Sequence, residues 1–242
     1  MRIYVCVKRV ADTSGPVVIN PDGTMNRNKM TTIANPEDLN ALEAALRLKE
    51  SCGAEVITVT MGPDAAKKVL RELLAMGADQ SVLVSARQFG GSDTFGTSQI
   101  LAAAIHHLGL GEGDLVFCGH QAIDGDTAQV GPQIAEKLHI PQICYVEEVQ
   151  ELSAKSIRCR RAIEGGYEVL ESPLPALLTV IDANSPRPMN AKKIMKFKRS
   201  RTPGEVEKEH TNDNYTQDAE AAVRELRAKG LLIEQYSAAD IG

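Results

Sequence analysis

The chain has 242 residues, 43% of them hydrophobic and 24% charged, which suits one large or two small domains with a self-sufficient apolar core and excludes wholesale disorder. A formal charge of −5 and only 4% aromatics, with no Trp, argue against a generic nucleic-acid surface, and no apolar run reaches the ~18 residues that span a bilayer. Five scattered cysteines without a C-x-x-C pair, and an opening strand too short for a signal peptide, indicate reduced thiols in a cytoplasmic setting and exclude a disulfide framework or zinc ribbon.

Strand and helix patterns alternate over the first 140 residues. Arg2–Val7 reads as a buried strand rich in β-branched residues. Asn35-Pro36 opens a helix, Asn being a favoured cap and Pro being shaped for the first turn. Leu39, Leu42 and Leu46 give that helix an apolar stripe, and Gly53 stops it. Glu55–Thr60 is the second strand, after which Pro63 opens a helix through Leu70, Leu73 and Leu74 to Gly77. Ser81–Ser85 is a third strand, followed by the loop Phe89–Ser92 and a helix over about Asp93–His107. Leu115–Cys118 is the fourth, leading through Gly119–Asp126 into a helix that ends near Leu138. This alternation predicts an α/β fold: a doubly wound, mainly parallel sheet with right-handed crossovers.

The period changes from Gln142. Ser156–Ala162 and Tyr167–Ser172 flank Ile163-Glu164-Gly165-Gly166 and predict a β-hairpin, and apolar Ala176–Ile181 returns to the sheet. Ala183–Pro188 is punctuation, Ala191–Arg201 carries six Lys or Arg residues, Thr202–Asn214 is loop-like, and Gln217–Lys229 is a short amphipathic helix. The chain thus divides into an α/β unit over 1–187 and an extended C-terminal arm over 188–242, too poor in core residues to fold without a partner surface.

Ligands of open α/β sheets bind at the carboxyl ends of the strands. Lys8–Val10, Asn35-Pro36, Met61-Gly62 and the loop from Gly119 to Gly131 lie at that edge. In the last, Gly125 frees the backbone, Asp126 or Thr127 can cap the following helix, and the helix start leaves N–H groups for a phosphate, with Thr127 and Gln129 at hand. Asp124 and Asp126 oppose the simplest electrostatic version, and a capped turn without ligand fits the spacing equally. His120, Asp124 and Asp126 resemble hard-cation ligands, but no matching cluster exists elsewhere, so no metal is assigned. The second glycine loop, Phe89-Gly90-Gly91-Ser92-Asp93-Thr94, permits close approach of a flat ligand, with hydroxyls at Thr94, Thr97 and Ser98; it reads equally as a connector capped by Asp93. His106-His107 sits where a helix end offers carbonyls. Cys6 and Cys118 read as inert core thiols. G-x-G-x-x-G is missing after the first strand, and no nucleophile–base pair stands out, so no catalytic residue is assigned and a bound cofactor carries any chemistry.

Several motifs then agree in order and spacing: V-x-V-K-R-V at Val5–Val10, N-P-x-x at Asn35–Asp38, A-M-G-A-D at Ala75–Asp79, Q-A-I-D-G-D at Gln121–Asp126, E-G-G-Y-E at Glu164–Glu168, L-P-A at Leu174–Ala176 and P-R-x-M-N-A-K-K-I-M-K at Pro186–Lys196. Together they resemble the β subunit of electron transfer flavoproteins over nearly the whole chain to about Lys198. The resemblance implies a heterodimer with an α subunit that carries a redox FAD, and a nucleotide in the β subunit: AMP in ordinary members, a second FAD in electron-bifurcating ones. It implies nucleotide contacts at Cys6, at Asn35 to Asp38, at Met61 and along Ala122 to Gln133, including Asp124, Gly125, Asp126, Thr127, Gln129, Val130 and Gly131. The run Gly90–Ser98 looks like the bifurcating type, implying Gly90, Gly91 and Ser92 at an NADH site, Thr94 and Thr97 at the flavin, and Asp93 between them also at the cofactor. In that reading the electrons of NADH divide between a ferredoxin or flavodoxin and an acyl-CoA dehydrogenase, and NADH oxidation needs the α subunit. The segment after Pro186-Arg187 resembles the family's loop for docking the dehydrogenase, with Ala191 at the anchor position and Met189 nearby; Lys192, Lys193, Lys196 and Lys198 read equally as steering acidic partners or as a solvated charged linker. The competing readings are a non-bifurcating β subunit with a structural AMP, and a stand-alone adenine-nucleotide-binding module of the stress-protein or pyrophosphatase type.

Overall fold

Strand β1 (Arg2–Cys6) lies in the interior of a nine-stranded sheet, so Ile3, Tyr4 and Val5 are buried without alternation, both faces being covered. The computed structural model describes residues 1–12, 14, 15, 19, 21, 23, 30–181, 185–210 and 218–242. A separate antiparallel ribbon of β2 (Arg9–Ala11) and β3 (Thr32–Ala34) follows β1. Helix α1 (Pro36–Cys52) has Pro in its first turn and stops at Gly53, whose φ of 72° lets its N–H reach the Lys49 carbonyl. Then come β4 (Glu55–Met61), α2 (Lys67–Met76), β5 (Gln80–Val84), α3 (Thr94–His107), β6 (Leu115–Gly119) and α4 (Val130–Leu138). Strand β7 (Gln142–Leu152), the hairpin of β8 (Ser156–Ile163) and β9 (Gly166–Pro173), and β10 (Ala176–Val180) complete the central fold. The C-terminal part holds α5 (Ala191–Phe197), α6 (Pro203–His210), α7 (Ala219–Ala228), β11 (Glu234–Tyr236) and α8 (Ala238–Ile241).

The sheet order is β11-β5-β4-β1-β6-β10-β7-β8-β9. It is parallel from β11 to β7 and antiparallel across β7, β8 and β9. The doubly wound α/β reading therefore holds, hairpin included. Successive residues of buried strands serve opposite faces: Phe117 and Leu178 pack with Leu42, Leu46, Leu70 and Leu73 of α1 and α2. Val116 and Leu177 pack with Leu101 and Ile105 of α3 and Ile134 of α4.

Differences from the sequence reading cluster where burial is one-sided or tertiary. The long strand β7 buries only Ile143 and Val146, and its glutamates face outward, which is why its pattern is weak. Residues 203–210, read as loop, are the helix α6, stabilised by a capping arrangement in which Glu205 accepts the Thr202 N–H at 3.0 Å and the Arg71 guanidinium at 2.8 Å. The turn segment Ala183–Pro188, the stretch to Asn214 and the start of the Gln217–Lys229 helix fall partly outside the described residues. The arm buries Phe197, Val206 and Ile233, and β11 pairs parallel with β5, so its first surface is this chain's own α2 and sheet edge. His106 and His107 lie in the last turn of α3, as read, and β11 adds an aromatic neighbour there: the His107 ring packs edge-on against Tyr236, centroids 4.7 Å apart.

Arg187 ties the segment after β10 to α1. Its Nε donates to Glu43 Oε2 at 2.8 Å and its backbone N–H to the same oxygen at 3.1 Å, while Arg47 Nε holds Oε1 at 3.1 Å. Burial alone would push the Glu43 carboxyl up, but these hydrogen bonds outweigh it and hold the group below the usual carboxylate range. The pair's stabilisation is therefore present at neutral pH and lost as pH falls through that depressed value. Arg187→Ala leaves the buried Glu43 carboxylate with only Arg47 and the residue-187 backbone N–H as partners and is expected to lower unfolding free energy by about 1–2 kcal/mol at neutral pH in urea titrations; a change below about 0.5 kcal/mol would contradict the pairing.

Candidate functional site at the switch point of the sheet

From β1 the chain winds outward to β4 and β5, then crosses back to place β6 on the other side of β1. The carboxyl ends of β1 and β6 therefore border the crevice where open sheets bind ligands. The first turn of α1 closes its floor. Asp38, buried there, accepts the Lys8 N–H at 2.7 Å and the Gly119 N–H at 3.1 Å. Burial pushes this carboxyl up to about 7, against the hydrogen bonds that favour its ionised form. Helix and strand meet so closely that a Cβ on Gly119 would lie 2.5 Å from both Asp38 Oδ1 and the Glu37 carbonyl carbon.

Asn35 occupies the cap position of α1 but makes no capping bond with its side chain. Its N–H donates to the Lys8 carbonyl at 2.9 Å, its Nδ2 to the Gln121 carbonyl at 2.8 Å, and its Oδ1 accepts the Ile123 N–H at 3.2 Å. It thus fastens the loop after β6 to the loop after β1. Lys8 Nζ meets Asp124 Oδ1 at 2.7 Å, and the Asp124 side chain is only 3% exposed, so one of the two carboxylates that oppose an anion here is already compensated.

Beyond Asp124 the backbone folds on itself, Gly125 and Asp126 both donating N–H to the Ala122 carbonyl. Asp126 and Ala128 have left-handed φ values of 50° and 53°. These interruptions delay α4 until Val130, with Gln129 at the cap position and no side-chain cap. The predicted capping by Asp126 or Thr127 is thereby corrected: a left-handed residue within the segment cannot continue a helix. The left-handed Ala128 followed by right-handed Gln129 turns successive N–H groups to one side, a concavity suited to anions, at the open first turn of α4. Such strain in non-glycine residues costs about 1–3 kcal/mol and concentrates at ligand sites.

The second glycine loop is attached to this one. Asp93 caps α3 by accepting the Gly96 N–H at 2.8 Å, as its position predicts. Thr94 Oγ1 bonds Gln129 Oε1 at 3.2 Å, and Ser98 Oγ bonds Gln133 Oε1 at 3.2 Å. Ser92 turns inward, its hydroxyl on the Phe89 carbonyl, and the Thr97 N–H continues the helix to Asp93. Gly91, at φ 80°, and Gly125 both border open space, a Cβ on either meeting nothing within 4 Å. Below lie Cys6 and Cys118, register partners on β1 and β6; their mutual hydrogen bond, and then burial, push the Cys118 thiol up and keep it protonated. Met61 ends β4, half-buried, on the far side of β1. Gly131 is buried because a Cβ would lie 2.8 Å from Thr179 Cγ2, so glycine lets α4 settle on β10. Among the described residues no three His, Cys, Asp or Glu side chains group as metal ligands, and His120 packs on the Tyr145 ring, 4.4 Å between centroids. Gly119 is read from the sequence only as the start of this loop, its close approach to α1 being missed, although a glycine closing an apolar strand was the available signal; Tyr145 is missed altogether, and nothing local marked it.

The model of the electron transfer flavoprotein domain matches residues 22–204. The chain belongs to the electron transfer flavoprotein family. Within it, the chain is 57% identical over 197 residues to the acryloyl-CoA reductase electron transfer subunit gamma of Anaerotignum propionicum, covering 81% of this chain and 73% of that protein. It is 51% identical over 195 residues to the electron transfer flavoprotein subunit beta of Clostridium acetobutylicum, covering 80% and 74%. It is also 51% identical over 197 residues to the caffeyl-CoA reductase–Etf complex subunit CarD of Acetobacterium woodii, covering 81% and 74%. This flavoprotein subunit is thus a β subunit serving electron transfer, and no helix among its described residues is long and apolar enough to cross a membrane.

In this flavoprotein subunit the folded Asp38 keeps a proton that the unfolded chain releases between roughly pH 4 and 7, so stability falls as pH rises across that window and levels above it. Asp38→Asn is expected to remove up to about 1.4 kcal/mol per pH unit of that slope and to lose about 1–3 kcal/mol overall, because an amide NH₂ opposes a backbone donor. Urea titrations at about pH 5 and about pH 8 read both effects; parallel slopes for the two proteins would remove Asp38 from the pH response. Gly119→Ala, which drives a Cβ into the α1 backbone, should cost at least about 1–3 kcal/mol in the same assay.

Proposed function

We propose that this subunit binds FAD at the carboxyl ends of β1 and β6, binds NADH beside it, and takes part in flavin-based electron bifurcation as one half of a heterodimer whose α subunit carries a second FAD. The observation that carries the reading is the Thr94–Gln129 hydrogen bond of 3.2 Å, which holds the diglycine loop against the 122–131 loop, so that a dinucleotide lying on one is within reach of the other. FAD, when bound, supplies the ability to accept electrons in a pair and release them singly. The residues present fit it. The Ala128–Gln129 concavity and the first amides of α4 hold the pyrophosphate without a basic side chain. Cys6 and Met61 give the adenosine an apolar bed, while Asn35 and Asp38 hold the loops that carry the contacts. Thr94 and Thr97 face the flavin, and open Gly90 and Gly91, with Ser92 and Asp93, admit the nicotinamide nucleotide.

The arm over 188–242 is the partner-facing part. Its base is fixed by Arg187; Met189, just before α5, and Ile194 and Met195 on it are exposed, the last 68%, among lysines 192, 193, 196 and 198. We assign this surface to an acyl-CoA dehydrogenase, with Ala191 opening the helix and Met195 as its largest exposed apolar group; the remainder of the arm packs on the α subunit. Two relatives named for acryloyl-CoA and caffeyl-CoA reductases support a partner acting on acyl-CoA thioesters, and ferredoxin or flavodoxin is the low-potential acceptor. Family membership displaces the stand-alone nucleotide module as a reading.

Flavin stoichiometry of the purified α/β complex is the deciding measurement. Two FAD per heterodimer with bleaching of flavin absorbance by NADH is the expected result, whereas one FAD with one AMP would leave a non-bifurcating subunit. Gly90 has an ordinary φ of −64°, so Gly90→Val adds bulk without backbone strain. It should slow flavin reduction by NADH about tenfold or more while heterodimer assembly is unchanged; equal loss of both would exclude the loop from NADH binding.

A further inference from the structure

A second feature at the carboxyl edge is used neither by the nucleotide reading above nor by the docking surface. The pairing of β10 with β7 shifts register between Leu178 and Val180, so that Ile143 and Val146 both oppose β10 with an extra residue between them. Tyr145 lies at this bulge in a left-handed conformation, φ 61°, which is costly for an aromatic residue and which bulges beside functional sites use to re-aim a side chain. The conformation is held from two sides. The Tyr145 N–H donates to Thr179 Oγ1 at 3.2 Å, and the phenol ring lies 4.4 Å from the His120 ring at a 39° tilt. The His120 main chain is tied to β10 by its backbone N–H on the Val180 carbonyl at 3.0 Å. Despite these constraints Tyr145 remains 46% exposed. The pair also adjoins the anion concavity: Thr179, which anchors Tyr145, places its methyl against Gly131 in the first turn of α4, and His120 directly precedes the loop fastened by Asn35.

We propose that His120 and Tyr145 form an aromatic side wall of the nucleotide crevice, on which a planar heteroaromatic ring of the bound coenzyme stacks. This rests on the nucleotide site proposed above. The strained backbone, the bulge and the ring pair together present a pre-ordered π face beside the amides that take the phosphates. Adenine and isoalloxazine share the required chemistry, and Tyr145 acts as a positioning residue toward whichever lies there.

The test measures binding of AMP and of FAD to the full chain, freed of endogenous nucleotide, by equilibrium dialysis, for the wild type and for Tyr145→Phe, Tyr145→Ala and Tyr145→Asn. Tyr145→Phe keeps the ring and should keep the affinity. Tyr145→Ala and Tyr145→Asn should each weaken binding by about tenfold, the usual scale of ring stacking on an aromatic side chain. Loss for both ligands places adenine on the wall, and loss for FAD alone places the isoalloxazine there. Asn tolerates left-handed backbone, so Tyr145→Asn separates strain from ring loss, and thermal melts confirm that the variants fold. Unchanged affinity of Tyr145→Asn for both ligands overturns the wall and leaves the nucleotide site standing. A wild-type chain that binds neither ligand overturns the site and the wall with it.

Discussion

The carboxylate of Asp38 joins three separate parts of the chain at the one place where the sheet changes direction. It comes from the first turn of α1 and takes the N–H groups that β1 and β6 leave unpaired at their ends. Those groups cannot be satisfied by the neighbouring strands, because the two strands diverge into different loops there. A carboxylate with two acceptor oxygens meets both, at the expense of being buried, and its raised pKa measures that burial. Gly119 is the complementary constraint, since any side chain would push the helix off the strand ends. With the helix seated, Asn35 reaches the loop after β6, and Lys8 reaches Asp124.

The loops that line the crevice are strained on a rigid base. Asp126, Ala128 and Tyr145 all hold left-handed conformations that an isolated peptide would abandon. They persist because local bonds hold them, the Asp126 N–H on the Ala122 carbonyl and the Tyr145 N–H on Thr179 Oγ1. Under the proposed nucleotide reading, backbone dipoles rather than cations would meet the phosphates, which reconciles the site with the nearby Asp124 and Asp126.

The C-terminal segment serves two surfaces at once. Arg187 and the buried Phe197, Val206 and Ile233 bind it to its own domain, while α5 turns Ile194 and Met195 away from the core. The guanidinium of Arg71 reinforces this by bonding both Glu205 oxygens and the Ser200 carbonyl. If α5 is the docking surface proposed above, this anchoring keeps its geometry fixed before association and lowers the ordering entropy that binding must overcome.

Elements dictated by local chemistry were legible in the chain itself. Apolar runs such as Arg2–Val7 and Leu115–Cys118 have the composition of strands covered on both faces, and Pro36, Gly53, Asp93 and Gly165 mark boundaries through steric preferences that operate within a few residues. Those preferences determined the alternating architecture, the hairpin and which loops reach the carboxyl edge. Tertiary structure alone decided the rest: that Asp38 points under the crevice, that Thr94 meets Gln129, that β11 joins the sheet beside β5, and that the helix after Asp126 waits until Val130. Each depends on a partner distant in sequence, or on strain that only such partners can hold, and neither leaves a periodic trace in the order of residues.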